Sequence, residues 1–483
     1  MTDGVHEAIR RALQALPALA ATAPGRPPQP HEIFFPEDHA RAVDPETALV
    51  VGNRGMGKSF WANALAHADT RDAVSGAYER NLERVEARFV FASAEGVEHA
   101  VSKAELDSVP NEAPPEVVWR AAILPALEPE TEVPRTLEKR VAWIQSHPKE
   151  QAELFRNHDR KLAGANRRLV LLFDALDQLA DTWPAIQRRT EGLLKLALAM
   201  QSYRAIRIKI FMRPDQFESP DLFRFPDASK IKSGAVRLTW RAMDLYGLLF
   251  LWLQRECQAN FLTLCKAEKI NIDRNDRRHP LPSEIVHSEE SQRRVFHRIA
   301  GPYMGKNEKR GFPYTWLPVH LADARREVAP RTFLHALRVA AHHTPAPTAT
   351  AIDYSGIQEG VRNASKQRLT ELQEDYPWVS PALAPLRGLQ VPSEPDAIFQ
   401  RWVERNVIEQ LKTSQGGAKG PLGVDLEGQP DDRHSLEKLR ENLEAIGVME
   451  LRANGKVDIP DIFRVQAGIL RKGGVTPQQR RRL

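Results

Sequence analysis

Cysteine is nearly missing from this chain: 483 residues contain two, Cys257 and Cys265. No histidine sits at a zinc-finger spacing from either, which sets aside a disulfide framework and a thiolate metal site. The pair reads instead as reduced, buried thiols on one helix of a cytoplasmic protein. Long apolar runs are missing too. Nothing approaches the roughly eighteen apolar residues of a bilayer-crossing helix, which argues against a membrane partner. The first residues lack the pattern of a secretory signal, and 5–20 (VHEAIRRALQALPALA) reads as an amphipathic helix that docks on a partner or on the protein's own core. Neither sign of charge prevails. Against 63 Asp and Glu stand 68 Lys and Arg, a formal net charge of +5, and so small an excess is a weak argument for nucleic acid. Aromatic residues make up only 7%. Trp119 and Trp143, set among apolar helical neighbours, read as core anchors, and Phe34 and Phe35 as packing residues. With 42% hydrophobic residues, the chain can still bury large cores.

What the chain does have is a glycine-rich turn in an informative place. Residues 47–65 read TALVVGNRGMGKSFWANAL. A short apolar strand (Leu49, Val50, Val51) runs into Gly52, Asn53, Arg54, Gly55, Met56 and Gly57, after which Lys58, Ser59 and Phe60 open a helix. Gly52-x-x-x-x-Gly57-Lys58-Ser59 is the P-loop pattern, and a strand before it and a helix after it are the context the pattern needs. A polyphosphate requires several backbone N–H groups converging on it. Glycine lets the backbone turn that way, and a helix N-terminus adds a dipole that favours anions. Residues 52–60 are therefore the candidate ATP-binding residues, with Lys58 reaching the β- and γ-phosphates and the Ser59 hydroxyl ligating Mg²⁺.

A second signal lies at 168–179, RLVLLFDALDQL. Five consecutive apolar residues suit a strand buried on both faces of a parallel sheet. Asp174 then falls at the strand's C-terminal end, where ligands of open α/β sheets bind, and can hold the Mg²⁺ that Ser59 also contacts. Three residues on, Asp177 is a candidate to position or deprotonate a water. A third apolar strand, 206–212, ends at Arg213, a candidate γ-phosphate sensor or a solvated strand-end arginine. Within 328–337 (VAPRTFLHAL), Arg331 sits in the first turn of an apolar helix, where a cation opposes the helix dipole. Its partner is then either the terminal phosphate, reached from a lid, or an acid in a structural salt bridge.

Strand and helix patterns alternate over 47–215, which gives an α/β class with a mainly parallel, doubly wound sheet. Five stretches are expected: an N-terminal helix and Pro-rich linker (1–44), a P-loop nucleotide-binding domain (45–235), a helical lid (236–343), a linker with a helical segment (344–395) and a winged-helix-like α+β module with a basic tail (396–483). In the last of these, Asn454-Gly455 between two short apolar runs signals a hairpin. The helix before it carries Arg433, Lys438 and Arg440 against Glu437, Glu441 and Glu444. DNA contact through 433–482 is for that reason not the favoured reading.

These motifs together resemble the bacterial STAND and KAP-type P-loop ATPases, relatives of the AAA+ class. The resemblance covers about 45–480 in architecture, while specific motifs are confined to the three nucleotide elements and Arg331. It implies phosphate binding by Gly52, Gly57, Lys58 and Ser59, a Mg²⁺ role for Asp174, and Asp177 as the second acid of a D-x-x-D pattern. It also implies a cytoplasmic ATPase switch, able to assemble as a homo-oligomer, that regulates a separately encoded effector in antiphage defence. One departure matters. AAA+ enzymes place a glutamate directly after the strand-end aspartate, and here Ala175 stands there, which favours a slow switch over a motor. The rival readings are a DNA-binding loader or transposition helper, and a scaffold that binds ATP without turnover.

Overall fold

Five strands pair in parallel to form one sheet: β1 (Leu49–Val51), β2 (Val85–Phe91), β3 (Arg168–Phe173), β4 (Ile206–Met212) and β5 (Val236–Arg237). The computed structural model describes residues 2–17, 28–92, 96–127, 133–345, 349–413, 420–429 and 431–477. Parts of the expected Pro-rich linker within 1–44, of the linker stretch 344–395 and of the basic tail of 396–483 lie outside these residues. The strand order is β2-β3-β4-β1-β5. Every residue of β1, and every residue of β3 after Arg168, is buried. Successive side chains of a strand point to opposite faces, so this burial requires cover on both, the doubly wound arrangement that the unbroken apolar runs call for.

The order of the strands is what builds the site. From β1 the chain crosses to the far edge at β2, returns through β3 and β4 to lie beside β1, and closes with β5 on β1's other side. Leu49 is level with Ile210, and Ile210 with Phe173. The strand ends that precede Gly52, Asp174 and Arg213 are therefore aligned on three neighbouring strands, with β4 in the middle.

Helices hold this end of the sheet in place. Trp119 is wholly buried, its ring set edge-on against Phe173 at 5.5 Å and its indole N–H donating to the Arg189 carbonyl at 2.7 Å. The Pro115–Leu127 and Trp183–Met200 helices come so close that a Cβ on Gly192 would fall 2.4 Å from the Pro115 Cβ. Trp143 departs from its expected role as a core anchor. It is half-buried and stacks on His147 at 5.5 Å, because its face of the Leu137–Ser146 helix is only partly covered. Phe34 and Phe35 do pack, each 5% exposed.

Thr22–Thr239 is one compact unit, and Met1–Ala21 with Trp240–Leu483 is the other. The second unit is mainly helical. Its N-terminal helix, Thr2–Gln14, docks on the protein's own core: Arg10 donates to the carbonyls of Ala351 (2.9 Å) and Thr350 (3.0 Å), and Trp252 donates to that of Ala12 (2.8 Å). One of the two thiols marks a helix break. Cys257 separates the Ala242–Glu256 and Gln258–Ala267 helices and is half-buried, while Cys265 is buried. Burial pushes the two thiols up to about 11 and about 12, which makes both poor nucleophiles. Among the described residues, no helix is long and apolar enough to cross a membrane.

Near the C-terminus four short strands occur: β6 (Gln390–Val391), β7 (Glu450–Leu451), β8 (Val457–Asp458) and β9 (Leu470–Arg471). Helices Pro395–Glu404, Val407–Thr413 and Arg433–Ala445 precede the antiparallel β7–β8 hairpin, whose turn is made by Gly455 at φ +79°. The bases of the last helix are paired along it, Arg433 with Glu437, Lys438 with Glu441 and Arg440 with Glu444. A buried network joins this region to the helices before it. Arg464, 0% exposed, bonds Asp461 at 2.7 Å, and Asp461 takes a hydrogen bond from His320 at 2.6 Å. Burial raises the Asp461 carboxyl, but His320, Arg464 and the Val475 N–H outweigh it and hold the group below its ordinary value.

Candidate functional site

The loop after β1 owes its shape to two glycines. Gly55 (φ +85°) and Gly57 (φ +104°) occupy left-handed backbone conformations that side-chain-bearing residues avoid. Gly57 then caps the Lys58–Ala66 helix, leaving the first-turn N–H groups facing out of the helix end. A Cβ at Gly57 would find open room, since its nearest neighbour is 3.8 Å away; backbone angle alone demands glycine there. At Gly52 the requirement is space, because a Cβ would meet that of Leu238 at 3.3 Å. Lys58 folds across the loop, its Nζ donating to the carbonyls of Gly52 (2.7 Å) and Asn53 (3.2 Å).

Asp174, 4% exposed, stands at the end of β3, where its backbone N–H donates to the Phe91 carbonyl at 3.0 Å. Its carboxylate accepts hydrogen bonds from the Ser59 hydroxyl and the Ala175 N–H. Burial pushes this carboxyl above its ordinary range, against the pull of Ser59 and Lys58. The Oδ1 atom is buried and has no hydrogen-bond partner, which is costly for a carboxylate oxygen. A hydroxyl and a carboxylate with an unsatisfied oxygen are the hard oxygen donors that Mg²⁺ takes, and the residues present fit that ion. Among the described residues, no group of three or more His, Cys, Asp or Glu could hold a metal by itself. A cation here would draw its other ligands from phosphate and water, as Mg²⁺ commonly does.

Past Asp174 the backbone turns sharply. Ala175 sits at φ +57°, and the single turn Leu176–Gln178 brings Asp177 back towards β4. There Asp177 lies 3.8 Å from Arg213, whose Nε is 3.3 Å from Asp215. The Arg213 guanidinium also lies over the ring of Trp183, 5.5 Å from its centroid. Lys58, Ser59, Asp174, Asp177 and Arg213 thus gather at one end of the sheet. Arg331 is in the first turn of the Pro330–His343 helix, as expected, and belongs to the other unit.

Two further residues position the loop, and neither has a motif that announces it. Leu238 packs on Gly52, and its N–H donates to the Val51 carbonyl at 2.7 Å. His39 is 0% exposed; it accepts from the Trp61 indole at Nδ1 (3.0 Å), so its Nε2–H donates to the Thr239 carbonyl (2.9 Å). The P-loop strand and the P-loop helix are both tied to 236–239, the segment from which the chain passes into the second unit at Trp240. His39→Phe keeps the ring but leaves two buried polar groups unmet, with an expected loss of about 2–4 kcal/mol in urea unfolding. An unchanged unfolding midpoint would mean that the histidine only fills space.

No protein-family model matches the chain, and no curated protein matches it either. Some solved structures are similar to it at low identity. An ORC2 protein of Aeropyrum pernix in ADPNP–ADP complexes is 12% identical, with 86% of this chain and 84% of that one covered and a TM-score of 0.38. For its ADP form the values are 12%, 88%, 88% and 0.30. CDC6P from Pyrobaculum aerophilum is 13% identical, with 86% and 83% covered and a TM-score of 0.27. What this site can do follows from its own residues.

Proposed function

We propose that the protein is an AAA+-related ATPase that binds ATP with Mg²⁺ and hydrolyses it slowly, as a switch. The observation that carries this reading is Asp174, a buried carboxylate bonded to the P-loop serine with its second oxygen unsatisfied. The backbone N–H groups of 52–59 hold the phosphates, and Lys58 exchanges its two loop carbonyls for phosphate oxygens. Ser59 and Asp174 would hold Mg²⁺, which when bound neutralises charge developing on the phosphates. Asp177 orients the attacking water, and Arg213, held against Trp183 and the two acids, stabilises negative charge on the terminal phosphoryl group.

The switch reading rests on Ala175, which cannot act as the base that AAA+ enzymes place after this aspartate. It rests as well on the ties from the P-loop to 236–239, through which a nucleotide-dependent shift would reach the chain segment leaving the unit. The output we infer is control of a separately encoded protein effector, with ATP-dependent homo-oligomerisation, in a cytoplasmic antiphage role. Comparing ATP hydrolysis in the wild type and Asp177→Asn tests the enzymatic part, with a loss of about 10²-fold expected. Equal rates near background in the two proteins would leave only a nucleotide-binding scaffold. Salt-dependent DNA binding that needs 433–482 would favour a loader instead; the acid-paired bases on the Arg433–Ala445 helix speak against it.

A further inference from the structure

The helical unit contains a cavity of about 400 Å³. It is lined by His6 of the N-terminal helix, Glu268, Thr350, and three residues of the Glu289–Ala300 helix: Arg294, His297 and Arg298. Those three, at positions i, i+3 and i+4, share one helical face. Four of these six are basic and one is acidic, and Gly301, Pro302 and Ala349 complete the lining. Glu268 pairs with Arg298 at 2.5 Å, whereas Arg294 reaches only the Glu268 backbone carbonyl, at 2.8 Å, and keeps its charge without a carboxylate partner. Arg294 donates as well to the Ser291 hydroxyl at 3.2 Å.

Buried polar atoms of the lining side chains remain unmet. Arg294 Nε and His297 Nε2 are buried and have no hydrogen-bond partner. Leaving such donors unsatisfied is costly, and placing cations side by side adds to the cost. Burial, with Arg293 nearby, also lowers the affinity of His297 for a proton, so the neutral ring is the form that would offer Nε2–H. A compact anion with several oxygens answers both problems at once. A guanidinium pairs with phosphate through two parallel bonds, and a neutral imidazole adds a third donor. The cavity is far larger than one phosphate group, and cavities of this size hold small organic ligands.

We propose that this cavity is a binding site for a small phosphomonoester, its phosphate held by Arg294, His297 and Arg298 and its organic part resting towards Thr350. The site is independent of the P-loop, lies within the helical unit, and takes a ligand distinct from the nucleotide that the P-loop reads. Its place there suits a sensor input.

The test is isothermal titration calorimetry on the full chain carrying Lys58→Ala, which silences the P-loop, with glycerol 3-phosphate and inorganic phosphate as probes. One site is expected, with the ester bound more tightly than inorganic phosphate. Arg298 is exposed, so Arg298→Gln should fold; it is expected to weaken the ester about tenfold through loss of a charge-assisted contact. Glu268→Gln removes the one carboxylate and should tighten binding about threefold. A tighter variant cannot be explained by misfolding. Absence of binding, or an affinity that neither substitution moves, overturns the site. Equal affinity for the two probes overturns the assignment to an ester.

Discussion

Asp174→Asn is expected to lower Mg²⁺-dependent ATP hydrolysis about 10²–10³-fold, the loss typical of removing one preorganised charge-stabilising group from an active site. Asparagine keeps the size of the side chain at the end of β3, so the wholly buried Phe173 and Trp119 beside it need not repack. What it changes is charge. The amide cannot neutralise a divalent cation, and one of its two polar atoms becomes a donor where the Ser59 hydroxyl and the Ala175 N–H already donate. Nucleotide affinity measured without Mg²⁺ should move by less than about tenfold, because the P-loop backbone and Lys58 carry that binding. Titrating Mg²⁺ against hydrolysis separates the two effects. A variant as fast as the wild type at the same Mg²⁺ concentration would remove Asp174 from the metal site.

How much of this site could be read in the sequence depended on how local each feature is. The 52–59 loop was legible because its requirements are local: positive φ at Gly55 and Gly57, and an adjoining strand and helix. Asp174 was legible because a buried parallel strand is a continuous apolar run and its end is where the run stops. Side-chain spacing could not reveal that β4 lies between β3 and β1, which is what sets Arg213 beside Asp177. Trp183 under Arg213 and His39 against Thr239 were equally hidden, the latter pair 200 positions apart. Spacing identified the apolar face of the helix bearing Trp143 but not how fully that face is covered. The N-terminal helix showed the same limit from the other side. Its amphipathic pattern left a partner and the protein's own core both open, and only the bonds from Arg10 to Ala351 and Thr350 distinguish them.

Lys209→Met is expected to produce a loss of stability that grows with pH. On β4 this lysine is 0% exposed, and its Nζ donates to three carbonyls, those of Ala42 (2.9 Å), Asp44 (2.9 Å) and Thr47 (2.6 Å). It therefore anchors the segment that leads into β1 and the P-loop. Methionine fills similar space but leaves those carbonyls without their donor, at an expected cost of about 2 kcal/mol near pH 7. Burial lowers the lysine from its ordinary 10.5 to about 7, against the carboxylates of Asp44 and Glu46, which raise it. The sign of the pH dependence follows from that depression. Between about 7 and 10.5 the unfolded chain binds more protons than the folded one, so this group makes the wild type more stable as pH rises, by at most about 1.4 kcal/mol per unit. The variant lacks this gain, and its deficit should widen to about 4 kcal/mol at pH 9. Urea unfolding of both proteins from pH 6.5 to 9 measures the difference directly. A deficit constant across that range would mean that Lys209 keeps its proton in the folded protein, its three carbonyl bonds outweighing burial.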